Sequence, residues 1–301
     1  MGEIITKYGA FQPQFEDDGV RRKYKSPVTY YETGAVESIT LQTQSEVRTN
    51  IGILPAERLL FYPDGSLRRL FPLDGKISAY WTEEDERQLA QEMCFQLPFG
   101  NVRAKVISLL FYNEGEIKSI TLWSRQTVRL MTPIEKVNVR IGISLYRSGA
   151  IRSCEPASVT PVETPIGTIR AFDPTAIGIH GDSNSLVFTD DGKVASVVTS
   201  VDQIQILTKD GEHIQWEPGL KQNLFQPEVM DIIPLQIVFY QDELEVRYYQ
   251  HQHKNVGNRS NYSSQKLSDR YSLTDCTFKI MPYVKPGHIV TSACSSCAAH
   301  G

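Results

Sequence analysis

Five strings in the chain share one plan: Tyr30-Tyr31-Glu32-Thr33-Gly34, Phe61-Tyr62-Pro63-Asp64-Gly65, Phe111-Tyr112-Asn113-Glu114-Gly115, Leu145-Tyr146-Arg147-Ser148-Gly149 and Val187-Phe188-Thr189-Asp190-Asp191-Gly192. In each, a bulky residue runs into a short polar turn that closes on glycine. The second and fifth positions after each glycine are apolar: Val36 and Ile39, Leu67 and Leu70, Ile117 and Ile120, Ile151 and Cys154, Val194 and Val197. Pro63-Asp64-Gly65 suits a three-residue hairpin loop, a type I turn followed by a left-handed residue where glycine has no Cβ to clash. Each copy therefore reads as strand, tight turn, strand. Residues three apart in a regular strand point to opposite faces, so the pattern demands either a sheet covered on both faces or a bulge that resets the phase. Cys154 occupies one of these apolar positions and is expected as a buried small hydrophobe.

The copies extend beyond the turn. Glu37-Ser38-Ile39-Thr40-Leu41 leads to Val47-Arg48, and Lys118-Ser119-Ile120-Thr121-Leu122 leads to Val128-Arg129. The wide gap between the second and third copies holds Thr82-Glu83-Glu84-Asp85, a capping-box start, followed by Leu89, Ala90, Met93 and Cys94 at helical spacing. This predicts a short helix from about Glu83 to Phe95, with Met93 and Cys94 on its packing face. The fold class expected is all-β: antiparallel sheet built from repeated β-hairpins, with one short helical insertion near 83–95. Three regions follow: a hairpin-repeat region over 1–216, a linker over 217–233 that is a loop or a single helical turn, and a C-terminal β segment over 234–301 that ends in a Cys/His-rich tail.

The aromatic-aromatic-x-x-Gly-x-apolar strings resemble the short bacterial variant of MORN-type repeats, over about residues 28–200. That resemblance implies successive hairpins added to one long antiparallel sheet and a binding or scaffolding role, with no catalytic residue to carry over. The wide, irregular spacing of the copies and the lack of further glycines depart from the family's pattern.

Composition narrows the classes of function. The chain has 301 residues, 31 basic against 35 acidic, for a net charge of -4. Generic nucleic-acid binding is not expected from such a balance, because phosphate neutralisation needs a basic excess. The run Arg21-Arg22-Lys23-Tyr24-Lys25 is a local exception, expected as a solvated strand edge. The N-terminal stretch has no apolar signal core, which predicts a cytoplasmic protein in which Asn258 and Asn261 carry no glycan. Five cysteines argue against a disulfide framework. Phosphate loops, nucleophile elbows and His-Glu-x-x-His motifs are absent from the sequence. The cluster His180, Asp182 and Ser183 reads as a polar loop. A protein partner bound along the sheet, with exposed tyrosines as contacts, is the first expectation.

The tail carries a second. Cys294-Ser295-Ser296-Cys297-Ala298-Ala299-His300 offers three ligands at regular spacing, and mixed thiolate and imidazole ligation suits zinc. A fourth ligand would come from Cys276, His288, or the His251/His253 pair. A metal- or thiol-dependent protein, as enzyme or metal-delivery factor, is the alternative; an accessible dithiol of Cys294 and Cys297, able to form a reversible disulfide without any evolved use, is the remaining reading of the tail.

Overall fold

A computed structural model describes residues 2–23, 26–178, 181–249 and 267–285. It is almost entirely β. Strands β1 (Ile4–Thr6) and β2 (Gly9–Phe11) form a small hairpin. The main sheet begins with β3 (Val28–Tyr30), β4 (Val36–Thr49), β5 (Gly52–Phe61) and β6 (Leu67–Phe71). After helix α1 (Glu83–Leu89) it continues with β7 (Glu92–Leu97), β8 (Gly100–Phe111), β9 (Ile117–Leu122), β10 (Val128–Met131), β11 (Lys136–Leu145) and β12 (Ile151–Pro156). A separate hairpin, β13 (Thr160–Thr164) and β14 (Gly167–Ala171), precedes β15 (Leu186–Phe188) and β16 (Val194–Thr199) of the main sheet. Two further hairpins are β17 (Asp202–Thr208) with β18 (His213–Trp216), and β19 (Gly219–Gln222) with β20 (Met230–Ile233). Strands β21 (Leu235–Phe239), β22 (Glu243–Tyr248) and β23 (Ser268–Ser272) complete the main sheet, and β24 (Cys276–Pro282) pairs with β17.

The path through the main sheet is β3-β4-β5-β6-β8-β9-β11-β12-β15-β16-β21-β22-β23, with β7 added beside β8 and β10 beside β11. Neighbours along it are antiparallel and follow chain order, so the sheet grows by meander. This is the connection that short turns permit.

A bulge in every repeat explains the apolar spacing. In the five hairpins the innermost pairs are Tyr30↔Val36, Phe61↔Leu67, Phe111↔Ile117, Leu145↔Ile151 and Phe188↔Val194. One residue is then skipped, and pairing resumes at Thr29↔Ser38, Leu60↔Arg69, Leu110↔Ser119, Ser144↔Ser153 and Val187↔Ser196. The unpaired residues are Glu37, Arg68, Lys118, Arg152 and Ala195. Because each resets the alternation, the second and fifth positions after the glycine both reach the core, where Ile39, Leu70, Ile120, Cys154 and Val197 are fully buried. Cys154 is thus a core residue, as its place in the repeat predicts, and burial pushes its thiol far up. The β17–β18 hairpin is a natural control. Its turn Thr208–Gly211 makes the same two backbone hydrogen bonds as the other five, but its register runs without a shift, and its inward residues Ile214 and Trp216 alternate with period two.

The turns are tied to one another through tyrosine. The phenol of Tyr31 donates to the Phe61 carbonyl at 2.7 Å, Tyr62 to Phe111 at 2.9 Å, Tyr112 to Leu145 at 3.0 Å and Tyr146 to Phe188 at 2.7 Å. Each acceptor is the residue just before the next turn begins. These four rings are half-buried and their hydroxyls are committed to spacing the hairpins, whereas Tyr30, Tyr80 and Tyr240 are exposed.

Two expectations are corrected. The helix spans only Glu83–Leu89, with the Thr82–Asp85 capping box in place, and Met93 and Cys94 lie in β7. Residues 92–97 alternate exposed and buried, Met93 and Phe95 inward and Cys94 outward, and pairing with β8 overrides a short helical periodicity. Arg21 and Arg22, in turn, are buried rather than solvated. Arg21 donates to Glu57 at 2.6 and 3.0 Å and to Glu86 at 2.8 Å, and Arg22 lies 3.3 Å from Glu57. Glu86 also accepts from the Trp81 indole and the Gly75 amide, both at 2.7 Å. Paired, hydrogen-bonded burial of this kind is what makes charges tolerable in an interior, and it fastens the N-terminal segment and α1 to the sheet.

Candidate functional site

The sheet face opposite the repeat core carries a row of small polar residues. The fourth position after the glycine is Ser38, Ser119, Ser153 and Ser196 in four copies and Arg69 in the remaining one, and all four serines are buried. With Leu60, Leu110, Ser144 and Val187 between them, they form a cross-strand row that continues through Val238, Glu245 and Arg270. Small side chains leave room for chain to lie on this face. The segment between Phe172 and Leu186 uses that room.

Phe172 bridges Thr199 in parallel, and the segment then passes over β11 and β9. A β-carbon at Gly142 would sit 2.4 Å from the Gly181 Cα, and one at Gly181 would sit 2.6 Å from the Thr121 hydroxyl. The crossing is therefore backbone on backbone, and only glycine permits it. Arg140 donates to the Asp173 carbonyl at 2.7 Å. Glu155 in β12 accepts from the Ser185 amide at 2.8 Å and from its hydroxyl at 2.7 Å. Burial pushes the Glu155 carboxyl up to about 7, against the pull of these hydrogen bonds.

Beside this crossing, the face opens into a cleft of about 580 Å³. One wall is Asp182, Ser183 and Asn184 from the crossing segment; the floor is Ser153, Val187 and Gln236 of the sheet. Arg152, the bulge residue of its hairpin, and Arg247 of β22 also line it, and Tyr248, Tyr249 and Ser268 form the far side. Its floor is a hydrogen-bonded chain: Gln236 donates to Ser196 at 3.0 Å, Arg247 donates to Gln236 at 2.9 Å, and Arg247 lies 3.6 Å from Glu245. Asn184 donates to the Ser153 hydroxyl at 2.7 Å and to the Gly181 carbonyl at 3.1 Å. A carbonyl can only accept, which fixes the amide orientation and leaves the buried Asn184 Oδ1 without a partner among the described residues.

A second feature lies at the tip of the β19–β20 hairpin. Leu224 is 83% exposed and Phe225 92%. The loop that carries them is stapled: Asn223 Oδ1 accepts from the Phe225 and Gln226 amides at 2.9 and 3.0 Å, and its amide donates to Asp231 at 3.0 Å. Gln222 donates to the Pro227 carbonyl at 2.9 Å, and the Asn223 amide to Val229 at 2.9 Å. Two large apolar side chains are thus held in water by an ordered loop.

Of the residues singled out in the sequence, Cys294, Cys297, His300, His288, His251, His253 and His180 lie outside the described residues. Cys276 is half-buried at the start of β24, opposite Thr208, and burial pushes its thiol up. Among the described residues no group of three or more His, Cys, Asp or Glu is placed to hold a metal ion, and no helix is long and apolar enough to cross a membrane. Asp182 does lie in a loop, where it is 3.8 Å from Arg69. The cleft was hidden from sequence reading because its walls come from segments more than 60 positions apart, although the repeated serine was a signal for a small-residue face. The hairpin tip had a local signal, Leu224-Phe225 inside an otherwise polar loop. Compared with models of protein families, with curated proteins and with solved structures, the chain matches none.

Proposed function

We propose that this chain is a non-enzymatic β-repeat binding protein that docks a protein partner on the Leu224–Phe225 hairpin tip. The carrying observation is the stapled loop: hydrogen bonds accepted by Asn223 and donated by Gln222 hold two exposed apolar side chains in one geometry. Exposed apolar anchors on an ordered support are what interfaces use, since burying them on a partner is favourable and little ordering entropy is left to lose. Lys221, Glu228 and Asp231 flank the tip, and Lys285 donates to the Met230 carbonyl. Among the described residues no basic excess surrounds it, which favours an apolar socket on a protein over an anionic lipid surface. The resemblance to MORN-type repeats supports the same reading, because hairpins added one after another make a long scaffold from which a tip projects. A photo-crosslinking side chain at position 225 should capture one protein, competed by excess wild-type chain and not by the Leu224→Ala, Phe225→Ala double variant. Equal competition by the double variant defeats the reading, as does binding of the chain to lipid vesicles through these residues.

The tail supports a second reading through its Cys-x-x-Cys-x-x-His spacing: zinc held by Cys294, Cys297 and His300, with Cys276 or His288 as fourth ligand. Metal analysis of the purified chain against one truncated before Cys294 tests it. Equal zinc content in the two, or none in either, defeats it.

A further inference from the structure

We infer that the cleft between the crossing segment and β22–β23 is a binding site for a small hydroxyl-bearing anion, a sugar acid or sugar phosphate, whose charged group is held by Arg152 and Arg247 and whose hydroxyl donates to Asn184.

Both acids that line the cleft have cations of their own: Asp182 lies 3.8 Å from Arg69, and Glu245 lies 3.6 Å from Arg247 and 3.8 Å from Arg270. Glu245 also accepts from the Tyr240 phenol at 3.1 Å. Arg270 also lies 3.8 Å from Glu243, and Arg152 has no acidic partner among the described residues, so four arginines stand around three carboxylates. In a chain of net charge -4 that local excess is a departure from the average surface. Guanidinium groups recognise carboxylate and phosphate through paired N–H donors, and a bulge is where a strand re-aims a side chain toward a site. Arg152 stands at such a bulge.

The Asn184 Oδ1 is buried and lacks a donor among the described residues, a state that costs free energy until something supplies one. A bare anion has no proton to give; a hydroxylated one does. The remaining lining, Ser153, Ser183, Ser268 and Gln236, offers both donors and acceptors, which suits a polyol. The volume lies within the range of sites for small molecules, about 300–1,000 Å³.

This inference is independent of the docking tip, and the test keeps the two apart. Binding of glucose 6-phosphate, glucuronate, glucose and inorganic phosphate to the full chain is measured by calorimetry at low and high salt. The expected result is that glucose 6-phosphate or glucuronate binds more tightly than both glucose and inorganic phosphate, and that salt weakens it. Whichever of the two anions binds identifies the source of the charge. Arg152 is exposed, so Arg152→Ala should fold with unchanged melting temperature and lose at least about tenfold in affinity, with Arg152→Lys in between. The Leu224→Ala, Phe225→Ala double variant should bind the anion as wild type does. The inference is overturned if none of the four probes binds at millimolar concentration, if glucose or inorganic phosphate binds as tightly as the better of the two sugar anions, or if Arg152→Ala leaves the affinity for that anion unchanged.

Discussion

From β3 to β15 successive hairpins are joined turn to turn, each tyrosine phenol donating to the carbonyl that precedes the next turn. The series stops at Thr189, whose hydroxyl bonds within its own turn, to Lys193. From β16 to β23 no such series runs among the described residues; the ties are made in mid-strand, as at Thr29–Ser38 and Ser144–Ser153, but here in one chain through Ser196, Gln236, Arg247 and Glu245 on the sheet face. The contrast explains where a site can form. Where turns set the spacing, the face carries mostly small or apolar residues and is partly covered by the crossing segment; where face residues do the tying, two of them, Arg247 and Glu245, are charged, stay near water and border a polar cleft.

The largest break in this comparison should come from Glu86→Ala, which leaves Arg21 partly unpaired in the interior and frees the Trp81 indole and Gly75 amide. A loss of about 3–5 kcal/mol is expected in urea unfolding. Fluorescence should resolve it by region, with Trp81 in the tyrosine-linked half reporting the loss at lower urea than Trp216 in the other half. Coincident transitions would show the halves to be one cooperative unit.

Next is Glu155→Gln, at the border between the halves. The folded carboxyl titrates at about 7 against an ordinary 4.5, so the folded state holds the extra proton between these values. Stability from this group is therefore full below about pH 4.5 and falls as pH rises through 7, by on the order of 3 kcal/mol. The variant should lack that part of the slope. Unfolding measured from pH 4 to 8 checks it, and identical profiles would show that Glu155 is not the titrating group.

Gly142→Ala should cost about 1–3 kcal/mol, because the new methyl meets the Gly181 backbone and the crossing segment must shift. Amide exchange should rise in residues 172–185 first. Exchange confined to other segments would mean the segment is held from elsewhere.

The smallest effects sharpen the contrast. Tyr146→Phe removes a turn-to-turn bond and should cost about 1 kcal/mol. Tyr240→Phe removes only a bond from an exposed ring to Glu245 and should stay within about 0.5 kcal/mol. Equal costs from paired melts would erase the distinction between the halves.

The five repeat hairpins and the burial of Cys154 could be read from the sequence by itself, because turn chemistry and apolar spacing are local. Even the bulge was legible as one of two answers to the apolar pair three apart, and pairing chose it. Helix α1 shows the limit. Its capping box is local and was read correctly, but its end is set by β7 pairing with β8, which no periodicity within 83–95 contains. Arg21 and Arg22 show the same limit for charge: their run looks solvated until Glu57 and Glu86, 36 and 65 positions away, arrive to pair with them. The cleft belongs wholly to the tertiary structure. Arg152, Asn184 and Arg247 carry no common signal along the chain, and they meet only because the meander and the glycine crossing bring β12, the 172–185 segment and β22 to one face.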